Sequence, residues 1–223
     1  MAWDNESAPT SAHVAFFWEH LSPHIQSWKG KTVFEIGSGT GWLLDRLPQY
    51  GVANAMGCEP SKKNCEEAKR LYPTVVLAQK TFESWKVRDG KFDRILAVMS
   101  FHHIRDLFHA FYKIKTMLER GGEAVIVVPD YDYSRQERHG YVINVCDIDE
   151  RSYVVEVTRE TGTIADYVAK TELYAETAKD AGLQLLEDFS MMPTERQIEL
   201  RPTYEQFRNV PITRLLRFGL IEK

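Results

Sequence analysis

The chain has 223 residues, 43% hydrophobic and 27% charged, with 28 Lys+Arg against 32 Asp+Glu for a formal charge of −4. These proportions exclude disordered, collagen-like and low-complexity proteins, and the length is ample for a buried core. The mild negative charge speaks against a chain whose main business is gripping a polyphosphate backbone. Three cysteines (Cys58, Cys65, Cys146) without CxxC spacing describe no disulfide framework, so a reduced, cytoplasmic setting is expected.

The opening MAWDNESAPTSAH has neither the basic start nor the apolar run of a signal peptide. Residues 13–21 place Val14, Phe17, Trp18 and Leu21 at helical spacing, and Pro23 is expected to interrupt that helix. Residues 31–36 are a short strand feeding into Gly37-Ser-Gly-Thr-Gly41, followed by a short helix over 42–47. Residues 53–59 form a second strand, and Ser61 is placed to cap the helix that follows, whose apolar side is Cys65, Ala68, Leu71 and Tyr72. Residues 74–78 give a third strand. A fourth, 92–98, is almost uniformly apolar, as a strand covered on both faces should be. Residues 105–119 read as a helix ended by Gly121-Gly122, and 123–128 as a fifth strand. The apolar stretches 95–101 and 124–128 are far too short for the ~20 residues of a membrane span. Strand–helix alternation of this kind predicts a parallel, doubly wound sheet.

Beyond residue 130 the texture changes. Residues 141–147 and 151–158, rich in Val, Ile and Tyr, predict an antiparallel hairpin, to which 163–168 can add a third strand. Residues 171–181 return to helix, capped by Gly182, and 183–191 and 212–221 are the sixth and seventh strands. The whole, 1–223, is expected to be one domain, with 1–30 as a helical lid carrying Trp3, Phe16, Phe17 and Trp18. Residues 132–170 are expected to be a β-hairpin insert shaping the acceptor site.

The chemistry concentrates in Glu35-Ile-Gly-Ser-Gly-Thr-Gly41. Glycines at a strand-to-helix turn let backbone approach a ligand, and the helix start presents unpaired N–H groups. The spacing is not GxGxxG, because Trp42 stands where that fingerprint wants glycine, and no Gly-Lys-Ser/Thr follows as in a P-loop. Glu35 suits a ligand carrying an ammonium group. Glu59, ending the second strand, can accept from both ribose hydroxyls.

In these features the sequence resembles the class I methyltransferases that use S-adenosylmethionine. Glu35-Ile-Gly-Ser-Gly-Thr-Gly41 is similar to the family's first motif and Gly57-Cys-Glu-Pro-Ser61 to its acidic second. The segment Phe92-Asp-Arg-Ile-Leu-Ala-Val-Met-Ser-Phe-His-His-Ile104 is similar to its fourth-strand motif, and Leu118-Glu-Arg-Gly-Gly-Glu-Ala124 to the turn before strand five. The resemblance implies a Rossmann-like seven-stranded sheet with an antiparallel last strand, and S-adenosyl-L-methionine as cofactor with S-adenosyl-L-homocysteine as product. It implies cofactor contacts by Glu35, Gly37, Ser38, Gly39, Gly41, Glu59, Pro60, Thr81, Phe82, Val98 and Met99, although the segment at Thr81 lacks the family's frequent Asp at the adenine amine.

Methyl transfer needs chiefly alignment of the nucleophile and exclusion of water. His102 and His103 follow the fourth strand at the ligand-binding edge and are the candidate catalytic residues; Asp130 and Tyr131 share that edge. No metal is expected, since His20 and His24 flank Pro23 and neither His102, His103 nor His109 has a Cys or carboxylate partner at metal spacing. Phe101-His102-His103 stands where base- and glutamine-methylating relatives carry Asn/Asp-Pro-Pro-Tyr/Trp, which resembles the small-molecule branch. The expectation is therefore methyl transfer to an O, N or C nucleophile of a small-molecule substrate, with no nucleic acid, no membrane and the oligomeric state open. The alternatives are an NAD(P)-type oxidoreductase and a non-catalytic S-adenosylmethionine-binding module.

Overall fold

The strand β1 (Thr32–Ile36) pairs in parallel with β2 (Asn54–Cys58) on one side and β4 (Phe92–Val98) on the other. The computed structural model describes residues 11–86, 91–138, 140–159 and 162–221. β3 (Val76–Ala78) continues the sheet beyond β2, and β5 (Leu118–Pro129) lies parallel to β4. β10 (Thr213–Leu220) is antiparallel to β5 and to β9 (Leu183–Met191), giving the order β3-β2-β1-β4-β5-β10-β9. The expected seven-stranded sheet with an antiparallel last strand is thus present. The chain winds outward from β1 to β3, then crosses back to begin β4. That reversal opens a crevice at the carboxyl ends of β1 and β4, where ligands of open α/β sheets bind.

Alternation along the strands sends side chains to two buried layers. Phe34, Ile95 and Ile126 pack with Phe111 and Ile114 of α4 (Leu107–Met117) and Tyr174 and Ala178 of α6 (Thr171–Ala181). Val33, Leu96 and Val125 face Phe16, Leu21 and Ile25 of α1 (Ala12–Ile25) and Leu43 and Leu44 of α2 (Trp42–Arg46). α3 (Lys62–Leu71) is capped by Ser61, whose hydroxyl accepts from the Asn64 N–H, as the sequence predicts. At the amino end of the sheet Asp93 ties β1 to β4. Its Oδ2 accepts from the backbone N and the Oγ1 of Thr32, both at 2.9 Å, and its Oδ1 accepts from Lys31 Nζ at 3.1 Å. These bonds, led by the Thr32 N–H, hold its carboxyl below the ordinary value.

β3 begins two residues later than the expected 74–78 and β5 begins at Leu118 rather than 123, and two further differences have an evident cause. α1 runs through Pro23 rather than stopping before it, because Pro23 sits in the last turn, where the missing N–H removes one bond and the helix ends two residues later. Gly121-Gly122 do not cap α4, which ends at Met117. They lie within β5, with Gly121 at φ 72° and the β4–β5 register slipping between Phe92 and Arg94. β6 (Val142–Asp149), β7 (Ser152–Arg159) and β8 (Gly162–Ala169) form a separate three-stranded antiparallel sheet. It is anchored by Tyr153, fully buried, whose hydroxyl donates to the Tyr131 carbonyl at 2.5 Å on the short helix α5 (Tyr131–Ser134). A further helix, α7 (Glu195–Leu200), precedes β10. Among the described residues no helix is long and apolar enough to cross a membrane. Trp3 and the rest of 1–10 lie outside the described residues.

Candidate active site

The crevice is a cavity of about 1000 Å³ bounded by the turns after β1, β2, β3 and β4, by α1, by β7 and β8, and by residues 201–207. Glu35, Gly37, Ser38, Gly39, Glu59, Pro60, Thr81, Phe82, Val98, Met99, His102 and His103 all line it. Gly41 does not. It precedes α2 at φ 80°, with Val75 only 3.2 Å from where a Cβ would stand, so the third glycine serves the helix start.

The first two glycines differ in what they permit. Gly37 (φ 65°) runs so close to the turn after β4 that a Cβ would stand 2.5 Å from Ser100 Cβ, and the Ser100 hydroxyl donates to the Ile36 carbonyl at 2.5 Å. Gly39 (φ 54°) has nothing within 4 Å of its absent Cβ. Backbone there borders open space, and its N–H donates to Glu59 Oε2 at 3.0 Å. Glu59 Oε1 in turn accepts from Ser61 N at 2.9 Å and Asn64 Nδ2 at 3.2 Å, so the carboxylate is held in one orientation with lone pairs to spare.

Glu35 is 3% exposed, and its Oε2 has no hydrogen-bond partner. Burial pushes its pKa up to about 8, the Ser38 hydroxyl opposing and the charge of Glu59 adding. Thr40 Oγ1, also buried on this wall, is without a partner too. A buried acid with one oxygen unpartnered can take a cationic donor, and a carboxylate oriented by backbone N–H groups can accept from paired hydroxyls. The wall therefore fits an ammonium at Glu35 and a ribose at Glu59. Met99, at φ 52°, is the one non-glycine residue with positive φ among those described, a strained conformation placed on the cavity wall.

His102 is 2% exposed and its Nδ1 has no partner. Its Nε2 stands 3.4 Å, and His103 Nδ1 3.5 Å, from Oδ1 of Asp166 on β8. Burial, together with the neighbouring His102, lowers the His103 pKa to about 4 against the pull of Asp166, so this imidazole is neutral near pH 7. The sequence paired no carboxylate with these histidines. Asp166 is remote in the chain and becomes their neighbour only through the insert. His109 instead pairs with Asp106 at 2.7 Å, and His20 Nε2 bonds the Met192 carbonyl at 3.0 Å. Asp130 caps α5 through the N–H groups of Asp132 and Tyr133, which is a structural duty. Two arginines that also line the cavity converge on aromatics. Arg138 lies over Tyr133 and Tyr141 at 4.8 and 5.6 Å, while Arg201 donates to the Tyr141 hydroxyl at 2.9 Å and lies over Tyr204 at 5.4 Å. Net charges of whole segments could not show this pairing.

Residues 34–126 match the model of the methyltransferase domain family, the stretch that carries the glycine loop, Glu59 and the histidine turn. They form a class I methyltransferase domain, of the S-adenosylmethionine-dependent kind. Around this domain, a solved structure from Listeria monocytogenes described as an S-adenosylmethionine dependent methyltransferase superposes with a TM-score of 0.76 at 20% identity, covering 93% of this chain and 98% of that one. Among curated relatives, the tRNA U34 carboxymethyltransferase of Pseudoalteromonas translucida is 29% identical over 120 residues, covering 49% of this chain and 35% of the relative. That of Hydrogenovibrio crunogenus is 30% identical over 140 residues, covering 54% and 40%. The chain thus matches well under half the length of these relatives.

These relatives overturn the expectation of a small-molecule substrate and no nucleic acid partner: their names specify a tRNA. The expectation leaned on a missing Asn/Asp-Pro-Pro-Tyr/Trp run, which bears only on amino-group methylation. It leaned also on a whole-chain charge of −4, which is blind to Arg138 and Arg201 converging on one wall of the cavity.

Proposed function

We propose that this chain is an enzyme that transfers a methyl group from S-adenosylmethionine to a nucleotide of RNA, with tRNA the first candidate. The observation that carries the cofactor half is the buried Glu35 carboxyl, whose Oε2 has no hydrogen-bond partner, lining the same cavity as Gly39 and a Glu59 held by backbone N–H groups. The RNA half rests on the names of the curated relatives and on the arginine–tyrosine wall. Rings and guanidinium planes of that kind stack on an unpaired base.

When bound, the cofactor supplies a methyl carbon already activated by a positive sulfur. The chain's work is placement. Glu35 holds the ammonium and Glu59 the ribose hydroxyls; Thr81 and Phe82 border the adenine, and Val98 and Met99 flank the reacting end. Phe16 and Phe17 of α1 line the cavity and exclude water, which makes the helix a cover for the site as well as a core element. The insert β6–β8 supplies the acceptor wall. His102 and His103 stand where a proton leaving the acceptor can be taken up. His103, neutral but weakly basic, then acts mainly by orienting.

The test is transfer of labelled methyl from S-adenosylmethionine to unmodified total tRNA and, separately, to an RNA-free metabolite extract. Label in nuclease-sensitive, acid-precipitable material is the expected result. Label only in small molecules, or none despite measured cofactor binding, overturns the RNA assignment.

A further inference from the structure

We propose that His102, His103 and Asp166 form a binding site for a divalent transition-metal ion on the wall of the cavity. The three side chains offer two imidazole nitrogens and one carboxylate oxygen, all lying within 4.8 Å of one another. The distances favour a shared ion over direct hydrogen bonds. A charge-assisted N–H···O bond closes to about 2.7–2.9 Å. Here both nitrogens stop at 3.4 and 3.5 Å from the same oxygen, Asp166 Oδ1. Two ligands on a tetrahedral ion with bonds of about 2.1 Å stand about 3.4 Å apart. Two of the three edges therefore already have the length of a coordination polyhedron.

Burial points the same way. His102 is 2% exposed, its Nδ1 has no hydrogen-bond partner, and Asp166 is the carboxylate that Nε2 faces. Nε2 meets that carboxylate at 3.4 Å, too far for a charge-assisted hydrogen bond, and an ion between the two would be bound by both. The backbone fixes the pair: Phe101–His103 is a single 3-10 turn, with the His103 N–H bonded to the Ser100 carbonyl at 3.1 Å, and the two rings lie 4.1 Å apart. The third ligand arrives on β8, at the register position opposite Val155. Nitrogen and oxygen donors without sulfur suit Zn²⁺, Mn²⁺, Fe²⁺, Co²⁺ or Ni²⁺, and three protein ligands leave a position open. Since all three residues line the cavity, an oxygen of an acceptor lying there can take that position. The site also ties the insert to the β4 turn, so the metal would order the acceptor wall.

The experiment uses the metal-stripped chain alone, without cofactor or RNA, so its outcome is independent of the function proposed above. Titration with Zn²⁺ in a calorimeter should give one equivalent per chain. Asp166→Asn and His103→Ala should each weaken binding at least tenfold, while His109→Ala, at the exposed pair with Asp106, should leave it unchanged. X-ray absorption of the wild-type zinc complex, which needs no variant, should show only nitrogen and oxygen neighbours, including imidazole. Failure to bind one equivalent, binding unaffected by Asp166→Asn, or a sulfur neighbour would each overturn the proposal.

Discussion

Replacing Glu35 with glutamine keeps the shape of the side chain and removes its titration. The wild-type carboxyl ionises at 4.5 in the unfolded chain and at about 8 in the fold. Because the folded value is the higher one, its contribution to stability is fully present below pH 4.5 and is lost as pH rises through about 8. At about 1.4 kcal/mol for each pH unit crossed, the wild type has lost about 3 kcal/mol from this group at pH 7. Glu35→Gln loses none, so denaturation midpoints of the two proteins should diverge between pH 5 and 8, the variant becoming the more stable. Cofactor binding carries the opposite signature. At pH 7 the carboxyl is roughly nine-tenths protonated, so pairing it with an ammonium releases about 0.9 proton. Calorimetry with S-adenosylhomocysteine in buffers of different ionisation enthalpy reads that number directly. Glu35→Gln should release none and should bind roughly ten- to a hundredfold more weakly, the worth of a hydrogen bond to a charged group. Equal proton release by the two proteins, or undiminished affinity in the variant, would refute the assignment of Glu35 to the ammonium.

Gly39→Ala and Gly37→Ala should separate binding from folding. The first meets open space and should cost the fold only about 1–2 kcal/mol for its positive φ, yet abolish cofactor binding in a thermal-shift assay; the second drives a Cβ to 2.5 Å from Ser100 and should lower the melting temperature more. Asp93→Ala should lose about 1–3 kcal/mol at pH 7 through the stranded Thr32 donors, and denaturation in acid should bring variant and wild type together. The carboxyl's pKa is lowered in the fold, so its contribution exists above 3.8 and fades as pH falls below it. Tyr153→Phe removes the bond to the Tyr131 carbonyl and should cost about 1–2 kcal/mol, with hydrogen exchange accelerated in β6–β8 and unchanged in β1–β5.

The parts of the structure that were legible in the sequence are those whose cause is local. The apolar run of β4 sets Phe92–Val98, and Gly182, at φ 92°, stops α6 where its periodicity ends. The glycine loop and Glu59 could be paired because both sit at strand ends of the same winding half. Gly121-Gly122 misled because glycine marks a helix stop and a strand irregularity alike, and the choice depended on pairing with β4. Asp166 and Arg201 could not be read, since each acquires its role from a partner far away in the chain. The small-molecule expectation failed on the same ground: an acceptor is recognised by a surface assembled from several segments, and a missing motif does not describe that surface.

The antiparallel insertion of β10 between β5 and β9 sets an order of assembly during synthesis. Every strand of the parallel half exists once Pro129 has been made, but β5 has no neighbour on its outer side until Thr213–Leu220 emerge. At roughly 5–20 residues per second the intervening chain takes several seconds to appear. During that interval an apolar strand offers an unpaired edge, the kind that recruits other chains. The glycine loop and Glu59, proposed above to hold the cofactor, lie wholly within the part synthesised by that stage, ahead of β6–β8. A cofactor able to dock on the nascent half would steady its exposed edge, so cofactor supply should influence how much of this protein folds as well as how fast it turns over.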